Sequence, residues 1–168
     1  MSGIDPILHK FISKVAQIDA KAGLGKELYE AISQLTPSVS VDLIIRNPTS
    51  KETLLTWRDD NLYGPGWHIP GGVVRFKEKM QDRAKLVLKE ELGMITQDLI
   101  GPIGVHEIFN TNRNIRGHFI SFVFEIQTTI SPSENRKATG IPENGQWRWF
   151  SSCPENLIPN QDQLREYL

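Results

Sequence analysis

The stretch Gly71–Met94 reads GGVVRFKEKMQDRAKLVLKEELGM, and the fold is decided by how it is read. Two glycines open it, where the chain can turn tightly and let its backbone approach a ligand closely. Glu78 follows near the expected start of a helix, the end at which the helix dipole favours a carboxylate. Residues 79–92 are expected to form that helix, which puts Glu90 and Glu91 in its last turn, against the dipole. Two adjacent anions so placed call for a compensating cation. Hard divalent ions such as Mg²⁺ take oxygen ligands of this kind and bridge to substrate phosphates. The pattern therefore points to metal-assisted chemistry on a diphosphate.

The rest of the chain sets limits on that reading. Its 168 residues, 39% hydrophobic and 23% charged, suit one domain with a real core. With 19 Lys+Arg against 20 Asp+Glu there is no global attraction to nucleic acid or to an anionic membrane surface, and neither is expected as a partner. The single cysteine, Cys153, excludes an internal disulfide and a cysteine-based metal cage. MSGIDPILHK lacks a basic segment followed by a long apolar run, and no stretch approaches the roughly 20 apolar residues of a membrane span. A cytoplasmic protein is the expectation.

Periodicity supplies the elements. Ile7, Leu8, Phe11, Ile12 and Val15, then Leu28, Ala31, Ile32 and Leu35, predict two helices within residues 5–35, broken at KAGLGK and started by Asp5-Pro6. From Val39 the period becomes two, with Val41, Leu43 and Ile45 on one face and Ser40, Asp42 and Arg46 on the other. ETLLTWR, WHIP, GVHEIF, GHFISFVFEI and WRWF read as further strands, residues 128–145 as a long loop, and SSCPENLIP as a helix start. Strands interleaved with a few helices make a mixed α/β domain.

On this frame, Gly72, Glu78, Leu88, Glu90, Glu91, Gly93 and Met94 resemble the Nudix box, G-x5-E-x7-R-E-U-x-E-E-x-G-U, where U is bulky and apolar. So many matches at fixed spacing are far more specific than a glycine-rich loop alone. WHIPGG and WRWF are similar to the family as well, and the resemblance covers residues 38–160 or so. It implies an α/β/α Nudix sandwich with a mixed sheet over residues 38–168, preceded by an N-terminal helical extension over residues 1–37. It also implies an Mg²⁺ cofactor, with Mn²⁺ as the alternative, held by Gly71, Glu90 and Glu91. Glu78 either caps the helix or supports the metal.

Leu86-Val87 stands where the family has Arg-Glu. In many Nudix hydrolases that glutamate is a metal ligand or the general base. The GDP-mannose mannosyl hydrolases, a homodimeric branch, also lack it and attack the anomeric carbon of the sugar. This chain is similar to that branch in VSVDLIIRN, LLTWR, GWHIPGG, WRWF and NLIPN…YL. The resemblance implies that Asp42 and Arg58 bind substrate; the glycine turn lets the backbone of Gly72 approach it, and His106 or Glu107, on a strand expected to cross the substrate face, contacts sugar or base. The branch's catalytic histidine falls on Asn144, so the base assigned here is the neighbouring Glu143, with Glu91 as the catalytic metal ligand.

Plainer roles exist for other residues. His68 packs before the glycines, His118 sits at a core rim, Trp67, Trp147 and Trp149 fill the core, and Arg75 and Arg83 are solvated. Three functions follow in order. The first is Mg²⁺-dependent hydrolysis of a nucleoside diphosphate sugar at the glycosidic carbon. The second is pyrophosphohydrolysis between phosphates, and the third is a catalytically silent domain that binds a nucleotide.

Overall fold

The computed structural model of the chain describes residues 5–168; what the sequence suggests of Met1–Ile4 lies outside them. Helix α1 spans Pro6–Val15 and α2 spans Lys26–Ile32. As expected, Asp5 caps α1, its Oδ1 accepting the Ile7 N–H at 2.8 Å, while Pro6 fills the first turn, where an N–H has no intrahelical partner. Neither helix contains a fully buried residue, and Ile7, Leu8, Phe11 and Ile12 of α1 are exposed.

The strands are β1 (Ser38–Arg46), β2 (Thr53–Arg58), β3 (Gly66–His68), β4 (Gly71–Val73), β5 (Ile100–Phe109), β6 (His118–Gln127) and β7 (Trp147–Phe150), with α3 (Met80–Leu92) between β4 and β5. They form one mixed sheet in the order β3-β2-β1-β6-β5, with β4 also paired to β1 and β7 to β2. Strand β1 runs parallel to β6 along its whole length, from Ser38 opposite Phe119 to Arg46 opposite Gln127. On its other edge the partners change. Strand β2 takes the C-terminal end at Ile45 and Arg46, and β4 takes Ser40, Val41 and Asp42. The sheet thus forks beside Leu43, whose N–H is held by the Pro70 carbonyl at 2.9 Å.

Both faces of β1 are covered, because central strands of a mixed sheet are sandwiched. Val41, Leu43 and Ile45 pack with Ala84, Val87, Leu88 and Leu92 of α3 and with Phe124, Ile126 and Trp147. Ile44 and Val123 pack on the other side with Trp67, Ile69, Leu157 and Leu164. Ser40 and Asp42, expected on a polar face, are buried there too, at 8% and 6% exposure. Each aliphatic side chain so enclosed contributes roughly 1.5–3 kcal/mol. The third layer is a 3-10 helix at Pro159–Tyr167, and no helix starts at SSCPENLIP. Gly71-Gly72, expected as a turn, begins a strand instead.

Helix α3 ends where the sequence places its end. Gly93 adopts φ 68°, the left-handed conformation that glycine takes without strain, and its N–H bonds the Lys89 carbonyl at 3.0 Å. At the other end, Glu78 Oε2 accepts the Arg75 N–H and the Arg83 Nε–H, both at 2.8 Å. Burial works against the Glu78 charge, but these donors and the positive Arg83 hold its carboxyl below the ordinary value. Arg83 is not solvated as expected: it is 4% exposed and its side chain lies along the buried face of α3. Replacing Glu78 by Ala strands that guanidinium, and urea unfolding should show a loss of about 3 kcal/mol. Arg83→Met should cost less, since the remaining Glu78 still reaches solvent.

Candidate functional site

The fork in the sheet brings the chemistry together. Strand β1 contributes Asp42, β2 ends in Arg58, β3 ends in His68, β4 begins with Gly71, and the last turn of α3 points Glu91 toward them. These groups line two adjoining depressions, the larger with a volume of about 370 Å³. That is within the range of small-ligand sites.

Asp42 is the deepest group. Ser121 Oγ of β6 donates to its Oδ2, and Gln161 Nε2 of the 3-10 helix donates to its Oδ1 at 2.9 Å. Gln161 is itself spent in full, donating to the Ile69 carbonyl at 3.0 Å and accepting the Ile69 N–H at 2.7 Å. Loss of hydration pushes the Asp42 carboxyl up to about 6, against the pull of Ser121 and Gln161. Gly71 has to lack a side chain: a Cβ there would lie 2.6 Å from Asp42 Oδ1 and 2.8 Å from the Val41 carbonyl oxygen.

His68 bridges the floor and the rim. Its Nδ1 lies 2.9 Å from the Thr56 carbonyl oxygen, which can only accept, so Nδ1 carries the hydrogen. The other nitrogen, Nε2, faces Glu91 Oε2 at 3.6 Å. Glu91 Oε1 accepts the Gly71 N–H at 3.2 Å. Glu91 and the backbone of Gly71 offer the oxygen donors that a hard divalent cation uses, beside the free Nε2 lone pair of His68. Among the described residues no three His, Cys, Asp or Glu side chains converge on one point. Mg²⁺ suits such a site, because it takes one or two carboxylates and completes its shell with waters and substrate phosphates.

Arg58, Arg116 and Arg136 line the same depression as Glu91. Arg58 Nε donates to Asp60, a carboxyl which is lowered to about 2 despite the opposing effect of its partial burial, by Arg58 and by the Leu62 and Tyr63 N–H groups. Tyr63 stands among three arginines, with Arg58, Arg113 and Arg116 at 4.7, 4.6 and 5.6 Å from its ring centre.

Asp42, Arg58, Gly71, Gly72 and Glu91 are therefore grouped as expected, and His68, read from sequence as a packing residue, joins them. Other expected site residues are not. Glu143 is exposed and does not line the cleft; its N–H bonds Gln146 Oε1 at 3.0 Å. Its neighbour Asn144 does line it, with Oδ1 accepting the Asp59 N–H at 3.0 Å. His106 lies elsewhere on β5, 2.8 Å from Tyr167 Oη and 3.6 Å from Glu166. Glu90 is exposed beyond the cleft wall, and Glu78 is engaged at the opposite end of α3. His118 pairs with Glu107 at 3.2 Å on the rim, as its plainer role suggested. Tyr63, Arg116, Ser121, Arg136 and Gln161 escaped sequence reasoning because they reach the cleft from loops and distant strands.

A family model described as the NUDIX domain matches residues 36–163. The ADP-ribose pyrophosphatase of Methanocaldococcus jannaschii is 34% identical over 134 residues, covering 80% of this chain and 75% of that protein. The low-salt glycan biosynthesis protein Agl8 of Haloferax volcanii is 32% identical over 102 residues, 58% of this chain; the match spans 64% of that relative's length. Among solved structures, a MutT NUDIX hydrolase from Burkholderia pseudomallei aligns with a TM-score of 0.63 at 19% identity, covering 79% of this chain and 98% of that one. The NUDIX domain of Shewanella oneidensis NrtR, complexed with ADP ribose, aligns with a TM-score of 0.59 at 15% identity, covering 93% and 94%. Likeness at such identities is one of fold.

The Asp42 environment makes stability depend on pH. The folded chain keeps this proton up to about 6, whereas the ordinary carboxyl releases it near 3.8. The contribution of the group is thus fully present below the lower value and lost as pH rises through the upper one. Asp42→Asn removes that loss. Urea unfolding at about pH 4 and about pH 7.5 should show the difference between the two conditions shrinking, by at most about 3 kcal/mol.

Proposed function

The chain belongs to the Nudix family, and on that premise we propose that this Nudix hydrolase acts on a nucleoside diphosphate joined to a sugar. The observation that supports the reading best is the charge arrangement of the cleft. The Glu91 carboxylate and three arginines line one cavity of about 370 Å³. A diphosphate fills such a space with its oxygens between a bound cation and guanidinium groups. Two relatives fit the same substrate class, since one is named for ADP-ribose and the other for glycan biosynthesis.

Glu91 and the backbone of the neighbouring Gly71 would hold Mg²⁺, which supplies Lewis-acid stabilisation of a departing diphosphate when bound. Val87, at the box's glutamate position, is 3% exposed and part of the core under the sheet, so no carboxylate points at phosphorus from that turn. We place the attack of water at the anomeric carbon for that reason, with a GDP-mannose-like substrate. The proton acceptor comes from groups lining the cleft. His68 Nε2, turned inward by the Nδ1–H bond to Thr56, takes that role in preference to the exposed Glu143. Asp42, at the cleft floor, accepts a hydrogen bond from the substrate.

A second reading, cleavage between the phosphates, is favoured by one observation: the relative that covers most of this chain is named as an ADP-ribose pyrophosphatase. The two readings share a substrate class and differ in the bond cut. ³¹P NMR with Mg²⁺ and a panel of nucleoside diphosphate sugars, GDP-mannose and ADP-ribose included, separates them. A nucleoside diphosphate product supports attack at carbon; a nucleoside monophosphate with a sugar phosphate supports the second reading. Unchanged spectra across the panel would overturn the substrate class. Glu91→Gln should lower turnover by about 100-fold or more, since metal stabilisation of the leaving group is worth several kcal/mol.

A further inference from the structure

Arg116 has features that neither the fold nor the Nudix box accounts for. It sits in the loop between β5 and β6 with φ 53°, a left-handed conformation that an arginine adopts only when its surroundings hold it there. Three contacts hold it. Its N–H donates to Ser33 Oγ at 3.0 Å, its carbonyl accepts from Tyr63 Oη at 2.7 Å, and its guanidinium lies 5.3 Å from the Tyr29 ring centre. Ser33 caps α2 and Tyr29 lies within it, so the N-terminal extension supplies two of the three. The guanidinium borders both depressions of the cleft, yet its Nε is buried with no hydrogen-bond partner, and no carboxylate among the described residues pairs with it. A half-buried guanidinium on a cleft wall, with a shielded Nε and no counter-charge, is well placed to receive an anion.

We propose that Arg116 binds the diphosphate of the substrate and that the N-terminal extension, through Ser33 and Tyr29, is its positioning element. This rests on the substrate class proposed above but not on which bond is cut. Arg58 is already neutralised by Asp60, and Arg136 Nη2 is committed to the Gly145 carbonyl at 2.6 Å. Arg116 is thus the cleft arginine whose guanidinium donates no hydrogen bond among the described residues. Ser33 touches no substrate; it fixes the backbone from which the guanidinium reaches.

The test is calorimetric titration of the whole chain with inorganic pyrophosphate in EDTA, which needs neither turnover nor metal. Arg116→Met should weaken pyrophosphate binding about 10- to 100-fold, the range for charge-assisted hydrogen bonds, and Arg116→Lys should recover part of it. Ser33→Ala should weaken it by about 3- to 10-fold, as expected when one positioning hydrogen bond is lost. It should raise KM with little change in kcat, and thermal unfolding should show that the fold persists. Unchanged pyrophosphate affinity in a folded Arg116→Met chain would overturn the proposal. So would a wild-type chain that does not bind pyrophosphate. Should Arg116→Met fail to fold, the Ser33→Ala titration decides in the same way. Pyrophosphate binding that depends on Arg116, in a chain that hydrolyses no nucleoside diphosphate sugar, would uphold this inference while the proposed activity fell.

Discussion

Burying the Asp42 carboxylate in the middle of the central strand is the constraint around which the molecule is arranged. A charge there is costly unless donors converge on it, and they come from every direction the sheet allows. Ser121 reaches across the parallel pairing from β6, and Gln161 comes from the 3-10 helix that closes the other face. Gly71 lets β4 run close enough to leave no room for even a methyl group. The same convergence ties the C-terminal segment to the site, since Gln161 also holds both backbone groups of Ile69. Fold and site are therefore one construction. The fork that admits Asp42 between β2 and β4 is also what places His68 and Glu91 side by side.

Charge is distributed in the cleft by the same logic. Asp42 and Glu91 come from β1 and α3, and the guanidinium groups from the end of β2, the loop before β6 and the 3-10 turn at Glu134–Arg136. Asp60 offsets Arg58, and the aromatic ring of Tyr63 gives the remaining cations a surface to rest on without discharging them. Burial pushes the Tyr63 hydroxyl above its ordinary value, against the nearby arginines, so the phenol stays a neutral donor to the Arg116 carbonyl. Opposite signs in one cleft, with no direct pairing of Glu91 to an arginine, leave a field ready for a ligand that carries both a metal and phosphates.

Helix α3 was legible because its limits are written locally. A carboxylate stands near its start, a left-handed glycine ends it, and apolar residues at helical spacing lie between. Strands β1, β2 and β6 were legible for a similar reason, through their period of two. What alternation did not show was that the second face of β1 would be covered, because the covering segment lies over a hundred residues away; the Asp42–Gln161 bond spans 119 positions. The cleft wall escaped for the same cause. Tyr63 meets Arg116 across 53 positions and Ser33 meets it across 83, with no periodic signal in either loop. Glu143 was assigned as the neighbour of Asn144 and His106 from its strand position, but the first is exposed on its loop and the second meets the C-terminal Tyr167.

The contact between Val87 and Gly72 has a consequence for what the box positions can hold. A Cβ at Gly72 would meet Val87 Cγ2 at 2.8 Å and Arg83 Cδ at 3.4 Å, so these three positions occupy a shared volume. Arg83, one helical turn before Leu86, already serves as the counter-ion of Glu78 that the box places at position 86. With the arginine one turn earlier and a core valine at the glutamate position, the helix is packed around the residues it has. Placing Glu at position 87 alone would introduce a carboxylate among the apolar side chains of α3, and an Arg placed at position 86 would find its partner taken. Installing the box's Arg-Glu therefore takes several simultaneous changes, and packing holds the present residues in place whatever chemistry the cleft performs.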